Sequence, residues 1–474
     1  MEVLQRTANR GSIATDTGYD IENSLKLEED NAEYLYYTST TQTDYERMAF
    51  SLWIKRTELG DAMLAEFGNG TSNTSNLRIG FDSSDRLFCY GNSIIFRQTN
   101  QVFRDTSAWY HLFFLFDTTT PGGISNNRIR IWVNGEMIPH TEFGVINNPG
   151  AGAAMGFNNG LQQSIGAQRE DGPKNYFNGY MAQVYGSGGT PPVVTDFGEV
   201  DEDTGIWKPI DISELTPPDT QGFNLDFSDA SNLGNDTSSR NNDFTLQNLT
   251  SIDQATDTPT NNFATYNALL PYNSNGKLIE GATKFYNGSG GADTSISTIA
   301  VANGKWYAEF KSPSNIAGGN GMVGVAANSG DSVSGRFLGQ DAWSVGVISD
   351  SGNYRINNSG TSYLGSAFNQ DFISVALDMD NKKVYFALNG TWGNSGNPAT
   401  GTNGIALPSA YEDYEWFIGA SLVNYTDTFN ASYGGYTTIS ISSAETDENG
   451  YGTFEYAPPS GYYALCTKNL AEYG

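Results

Sequence analysis

At 474 residues the chain exceeds one β-sandwich core, and at roughly 100 to 200 residues per domain it divides most simply into two large domains. Its 54 Gly, 27 Tyr and 26 Phe, with only 16% charged residues, favour short strands and tight turns over long helices. Acidic residues outnumber basic ones 53 to 25, a formal charge of -28 that repels phosphate backbones and anionic membranes, so nucleic acid and membrane insertion are excluded as partners.

Residues 1–22 are polar and turn-rich and read as an N-terminal arm. They contain no apolar stretch of the Sec export type, and the longest apolar run, 112–116, falls far short of the ~20 residues that span a bilayer. Alternation begins at Asn23, with strands expected in 48–56, 62–68, 77–90 and 108–117 between turns such as Asp-Ser-Ser-Asp. In 127–138, Ile129, Ile131 and Val133 point one way and Arg128, Arg130 and Trp132 the other, one face buried and one wet. Asn134-Gly135 supplies a type I′ turn there.

The Pro- and acid-rich stretch 187–221 reads as a crossing connection, after which 222–228 returns as a late strand of the first sandwich, residues 23–250. A linker over 251–275 leads to a second sandwich, 276–435, with strands at 305–311, 321–327, 342–349, 372–380, 382–390 and 416–422. No segment holds a 3.6-residue period, so the fold class is all-β, two sandwiches in tandem. A C-terminal extension, 436–474, carries APPSGYYALCTKNL, whose Tyr462–Leu465 should dock on a domain or neighbour. Cys89 and Cys466 fall in different domains, which excludes a disulfide framework and leaves two buried thiols.

Together, FSLWIKR, AWYHLFFLFD, RIRIWVNGE and YFNGYMAQV resemble a laminin-G-like domain of the concanavalin-type jelly roll, and GKWYAEFK, SVGVISDSGNYRINNSG, ISVALDMDNKKVYFALNGTWG and FIGASL resemble a SPRY (B30.2-like) domain. The order of the two, closed by PPSGYYALCTKNL, is similar to tail-fibre and other virion proteins of bacteriophages. That resemblance implies a non-catalytic protein at the virion surface, with other virion proteins as partners. Its first implied role is a fibre or receptor-binding component that recognises host surface glycan or protein. The alternatives are a capsid decoration or tail-assembly protein and, third, a polysaccharide depolymerase. Avidity favours a homo-oligomer, a trimer.

Little in the sequence supports catalysis. His111 lies inside an apolar strand and His140 follows a hairpin, neither within a nucleophile motif. The acidic run Glu199, Asp201, Glu202, Asp203 resembles the closely spaced acids of concanavalin-type glucanases but lacks their second glutamate, and reads as a solvated loop. No cofactor is required. Calcium is the one ion that acid and amide clusters could take, with Asp378, Asp380 and Asn381 the tightest group and Asp226, Asp229, Asn235 and Asp236 a second. For a glycan, Tyr354, Arg355, Asn357, Tyr363 and Trp392 sit in turn-rich stretches of the SPRY-like domain, whose loops are that family's usual binding face. Trp306, Trp343 and Trp416 read as core.

Overall fold

Period two places alternate side chains of the early strands in one core. Met48, Phe50, Leu52 and Ile54 of Arg47–Arg56 and Leu112, Phe114 and Phe116 of Trp109–Asp117 are all fully buried. These strands belong to an antiparallel sheet that runs Glu136–Met137, Ile129–Val133, Trp109–Asp117, Arg47–Arg56, Gly179–Gly188, Ser24–Leu27, Gln254–Ala255, with Phe223–Leu225 added to Gly179–Gly188. A second sheet runs Phe143–Ile146, Ile94–Val102, Arg86–Gly91, Leu77–Phe81, Ala62–Phe67, Gln162–Ile165, Tyr34–Thr38, Thr245–Gln247. Phe50 of the first sheet meets Phe67 of the second edge to face at 5.1 Å, so the two sheets close a sandwich. The computed structural model describes residues 18–40, 46–68, 76–91, 93–120, 126–154, 156–157, 161–169, 172–202, 204–270, 276–287, 291–314, 316, 321–330, 335–423 and 427–474.

This first unit spans Asp16–Thr260, and 251–260 are part of its packing where a linker was expected. Gln254–Ala255 pairs with Ser24–Leu27, and the buried carboxylate of Asp257 takes the Lys55 ammonium at 2.7 Å and the Trp109 indole N–H at 3.1 Å. Of the expected arm, 1–17 lie outside the described residues, while Ile21 packs with Trp53 and Ala182. Its backbone N–H donates to the hydroxyl of Thr260, which donates to its carbonyl.

The expected wet face of the 127–138 hairpin is largely covered. Asn134 and Gly135 take positive φ of 48° and 79° as a type I′ turn requires, but Trp132 packs with Phe113, Leu115, Tyr185, Phe197 and Ile212. The connection lays Phe197 and Ile212 over this face because Gly198–Val200 and Trp207–Pro209 form a hairpin of their own.

The second unit contains Asn261–Gly474. Its larger sheet runs Lys277–Ile279, Lys284–Tyr286, Thr428–Ser432, Lys305–Lys311, Phe372–Asp378, Lys383–Leu388, Thr391–Trp392. Its smaller sheet runs Asp293–Ile296, Trp416–Leu422, Gly321–Ala327, Ser344–Ile348, Asn353–Ile356, Ser359–Ser362. Trp306, Trp343 and Trp416 lie in the core between them. Asn389-Gly390, with φ of 46° and 77°, repeats the turn chemistry of the first unit.

The C-terminal stretch from 436 is a wrap on this unit. Tyr463–Ala464 pairs in parallel with Lys305–Lys311, a short helix Thr467–Tyr473 follows, and Phe454, Tyr462 and Cys466 bury Tyr307, Ala376 and Tyr385 beneath them. Asp447 holds the wrap by accepting from the N–H groups of Asn449, Tyr451 and Ala464 and from the Asn469 amide. Glu309 holds it from below: its fully buried carboxylate accepts the Tyr307 hydroxyl at 2.6 Å and the N–H groups of Glu455 and Tyr456 at 2.7 and 3.0 Å. Burial lifts its carboxyl from 4.5 to about 7 against the pull of those three donors. The folded state therefore binds this proton more tightly than the unfolded chain. Stability present below pH 4.5 is lost as pH rises toward 7, by up to about 1.4 kcal/mol per pH unit. Glu309→Gln should flatten that part of a thermal-midpoint-versus-pH profile, and an unaltered slope would show that Glu309 does not set it.

Candidate functional site

A serine and a histidine do come together. Ser51 of Arg47–Arg56 and His111 of Trp109–Asp117 are diagonal neighbours, since Ser51 pairs with Phe113 and Trp53 with His111, and Oγ lies 2.8 Å from Nε2. The indole N–H of Trp207 donates to Nδ1 at 3.0 Å, and an indole nitrogen can only donate, so the imidazole proton sits on Nε2 and is given to Ser51. A base for serine needs the opposite tautomer. Burial moreover pushes His111 down to about 3, and Trp53 lies over it with ring centres 4.8 Å apart. His111 is a neutral core side chain that ties the connection to the sheet. Trp207→Phe removes the donor and should cost about 1–3 kcal/mol in chemical denaturation, the usual penalty of one orphaned buried acceptor.

In the acidic run, the described Glu199 and Asp201 are engaged by protein donors. Asp201 accepts the N–H and hydroxyl of Thr204, both at 2.8 Å, which hold its carboxyl below the usual range, and Lys208 lies 3.5 and 3.4 Å from Glu199 and Asp201. Asp203 lies outside the described residues.

The calcium candidates turn their oxygens to protein donors. Asp378 is buried and accepts the backbone and side-chain N–H groups of Asn381 at 2.9 Å each, with Lys305 at 3.4 Å, while Asp380 accepts from Gly304. Asp226 and Asp229 each cap a serine two residues on. Asp236 accepts the N–H groups of Asn224, Ser238 and Asn242, and the Asn235 N–H is given to the Asn232 carbonyl. Among the described residues, no three His, Cys, Asp or Glu side chains converge as a cation shell.

Of the five glycan candidates, Tyr354, Arg355 and Asn357 share the hairpin formed by Asn353–Ile356 and Ser359–Ser362, with Asn357 exposed in its turn. Tyr363 is buried between Tyr354 and Phe386, at ring distances of 6.0 and 6.2 Å. Trp392 belongs to the other sheet and packs against the cluster under the C-terminal wrap. The five do not make one surface.

A cleft forms instead on the outer face of the first unit's second sheet. The strands Leu77–Phe81 and Arg86–Gly91 send Leu77, Ile79, Leu87 and Cys89 into the core, which leaves Arg78, Gly80, Phe88 and Tyr90 outward. Cross-strand pairing then sets Arg78 beside Tyr90, and Phe88 between Gly80 and Gln98. Gly80 admits the close approach of Ala62, whose carbonyl oxygen would lie 2.4 Å from any Cβ there.

The cleft is about 260 Å³, just under the ~300 Å³ at which drug-sized sites begin, so it suits one small ring. Its polar lining is braced before any ligand arrives. The Arg78 guanidinium stacks 5.1 Å over Tyr90 and is held by Glu66 at 3.1 Å. Asp82 takes the Gln98 amide at 2.8 Å, and Asn175 donates to Gln168 at 2.9 Å. Burial alone would raise Asp82, but donation from the Arg86 backbone and guanidinium and from the Ser84 N–H keeps it below the ordinary carboxylate range. The alternation in LRIGFDSSDRLFCY marks Arg78, Phe88 and Tyr90 as outward, but not as neighbours across strands.

Two family comparisons agree with this architecture. The family described as the concanavalin A-like lectin/glucanases superfamily matches residues 29–186, and the SPRY domain matches residues 305–399. The chain is nearly all β, with a concanavalin-like domain and a SPRY domain in tandem, and both are typical binding modules. Among solved structures, the SPRY domain of human HERC1 is 19% identical, with a TM-score of 0.26, over 31% of this chain and 87% of that one. A second human SPRY domain is 15% identical, with a TM-score of 0.26, over 31% and 90%. A putative carbohydrate binding protein from Bacteroides ovatus is 14% identical, with a TM-score of 0.30, over 49% and 61%. No curated protein matches the chain.

Proposed function

We propose that the chain is a glycan-binding protein whose first sandwich takes a sugar ring against Phe88, in the cleft on the outer face of its second sheet, without cleaving it. The observation that carries this reading is the cleft itself: a half-buried aromatic ring beside polar side chains already fixed by one another, on a concanavalin-like sheet. An aromatic face packs against the C–H side of a sugar, and braced polar groups bind hydroxyls with little ordering cost. Cleavage needs a carboxylic acid kept protonated opposite a second carboxylate. Of the two acids that line the cleft, Asp61 and Asp82, the second is held ionised by its donors.

The finer setting is part of the proposal: a fibre or receptor-binding component at the surface of a bacteriophage, its ligand a host surface polysaccharide. That setting is supported by the order of the two domains and the PPSGYYALCTKNL closing segment.

The full chain should bind a subset of polysaccharides on a glycan array and release no oligosaccharide from them. Phe88→Ala should weaken that binding about tenfold, equivalent to about 1.4 kcal/mol, with the thermal midpoint unchanged. Binding that survives the substitution in full would place the ligand elsewhere.

A further inference from the structure

We propose that Lys26 and Asp253 become joined by an isopeptide bond, formed through Glu33, which closes the first sandwich covalently between its first and last described strands. Lys26 lies in Ser24–Leu27 and Asp253 immediately precedes Gln254–Ala255, and pairing of Ser24 with Ala255 and Leu25 with Gln254 brings the two side chains opposite each other. The Lys26 Nζ is 2.8 Å from Asp253 Oδ1 and 3.0 and 2.9 Å from the two oxygens of Glu33. The three side chains are 1%, 7% and 3% exposed.

This arrangement sets one cation against two carboxylates where water does not reach. Buried charge is costly, and a neutral amide in place of the Lys26–Asp253 pair removes one charge of each sign. Burial lifts the Glu33 carboxyl to about 6 against the pull of Lys26, which suits it to carry protons between the two. The Asp253 carboxyl is polarised from its far side, since Oδ2 accepts the Thr250 N–H at 2.8 Å and its hydroxyl at 3.3 Å. Those donors would hold the oxygen that becomes negative as nitrogen adds to Cγ.

The atoms balance without a co-reactant. The Lys26 ammonium carries three protons: one stays on the amide nitrogen, and two pass through the Glu33 carboxyl to Asp253 Oδ1. The Nζ–Cγ bond forms, the Cγ–Oδ1 bond breaks, Oδ1 leaves as water, and Glu33 returns to its starting state. A second buried pair, Lys55 and Asp257 at 2.7 Å, serves as a comparison, with the Trp109 indole N–H donating to its aspartate at 3.1 Å.

Intact mass of the denatured full chain should fall short of the sequence mass by one water molecule. A digest should contain one branched peptide linking Lys26 to Asp253. Lys26→Arg and Glu33→Gln should each restore the full mass. A wild-type chain of full mass overturns the proposal whether or not the variants fold, and so does a cross-link that maps to Lys55 and Asp257. Survival of the bond in Glu33→Gln overturns the part assigned to Glu33.

Discussion

Lys26, Lys55, Glu309 and Asp447 are charged side chains almost wholly removed from solvent, and the outer layer of each sandwich hangs on them. An ionised group placed in such surroundings without partners costs several kcal/mol, so a segment that covers it must bring matching groups in fixed geometry. Residues 253–257 bring two aspartates to the two lysines, and residues 455–456 bring backbone N–H groups to Glu309. The pairing therefore fixes which residue of each wrapping segment lies over which residue of the sheet, a register that polar segments with few apolar side chains would otherwise lack.

This wrapping also positions the surface left for binding. In the first sandwich, the connection covers the outer face of one sheet, packing its Phe197 with the cluster that holds Trp132 and its Trp207 with the one that holds Trp53. The outer face of the other sheet keeps Phe88 and Tyr90 half-buried beside braced polar groups. One face spends its aromatic residues on internal packing, while the other retains them at the surface.

Strand patterning was legible in the sequence because a period of two needs only local information. The turns Asn134-Gly135 and Asn389-Gly390 were legible for the same reason, since positive φ at consecutive positions restricts the residues allowed. The cleft was not, although its residues stood in the alternation: Arg78, Phe88 and Gln98 come from three strands, and only the register across them makes a site. Loops of the SPRY domain drew attention through their aromatic content, yet Tyr363 is core and Trp392 lies on the other sheet. The wraps were hidden for a different reason. Polar residues such as Lys26 and Glu309 in an alternating strand read as facing water, and the partners that the wrapping segments bring lie far along the chain, 227 residues for Lys26 and Asp253 and 146 for Glu309 and Glu455.

The contact between Ile21 and Thr260 has a consequence for the chain as a piece of evolutionary material. Both ends of the first sandwich emerge at one point, where the Thr260 hydroxyl bonds the backbone N–H and carbonyl of Ile21. A unit whose ends meet can be spliced into a surface loop of another protein, or removed from its own, with little disturbance of the host backbone. The first sandwich has the construction of a transferable cassette.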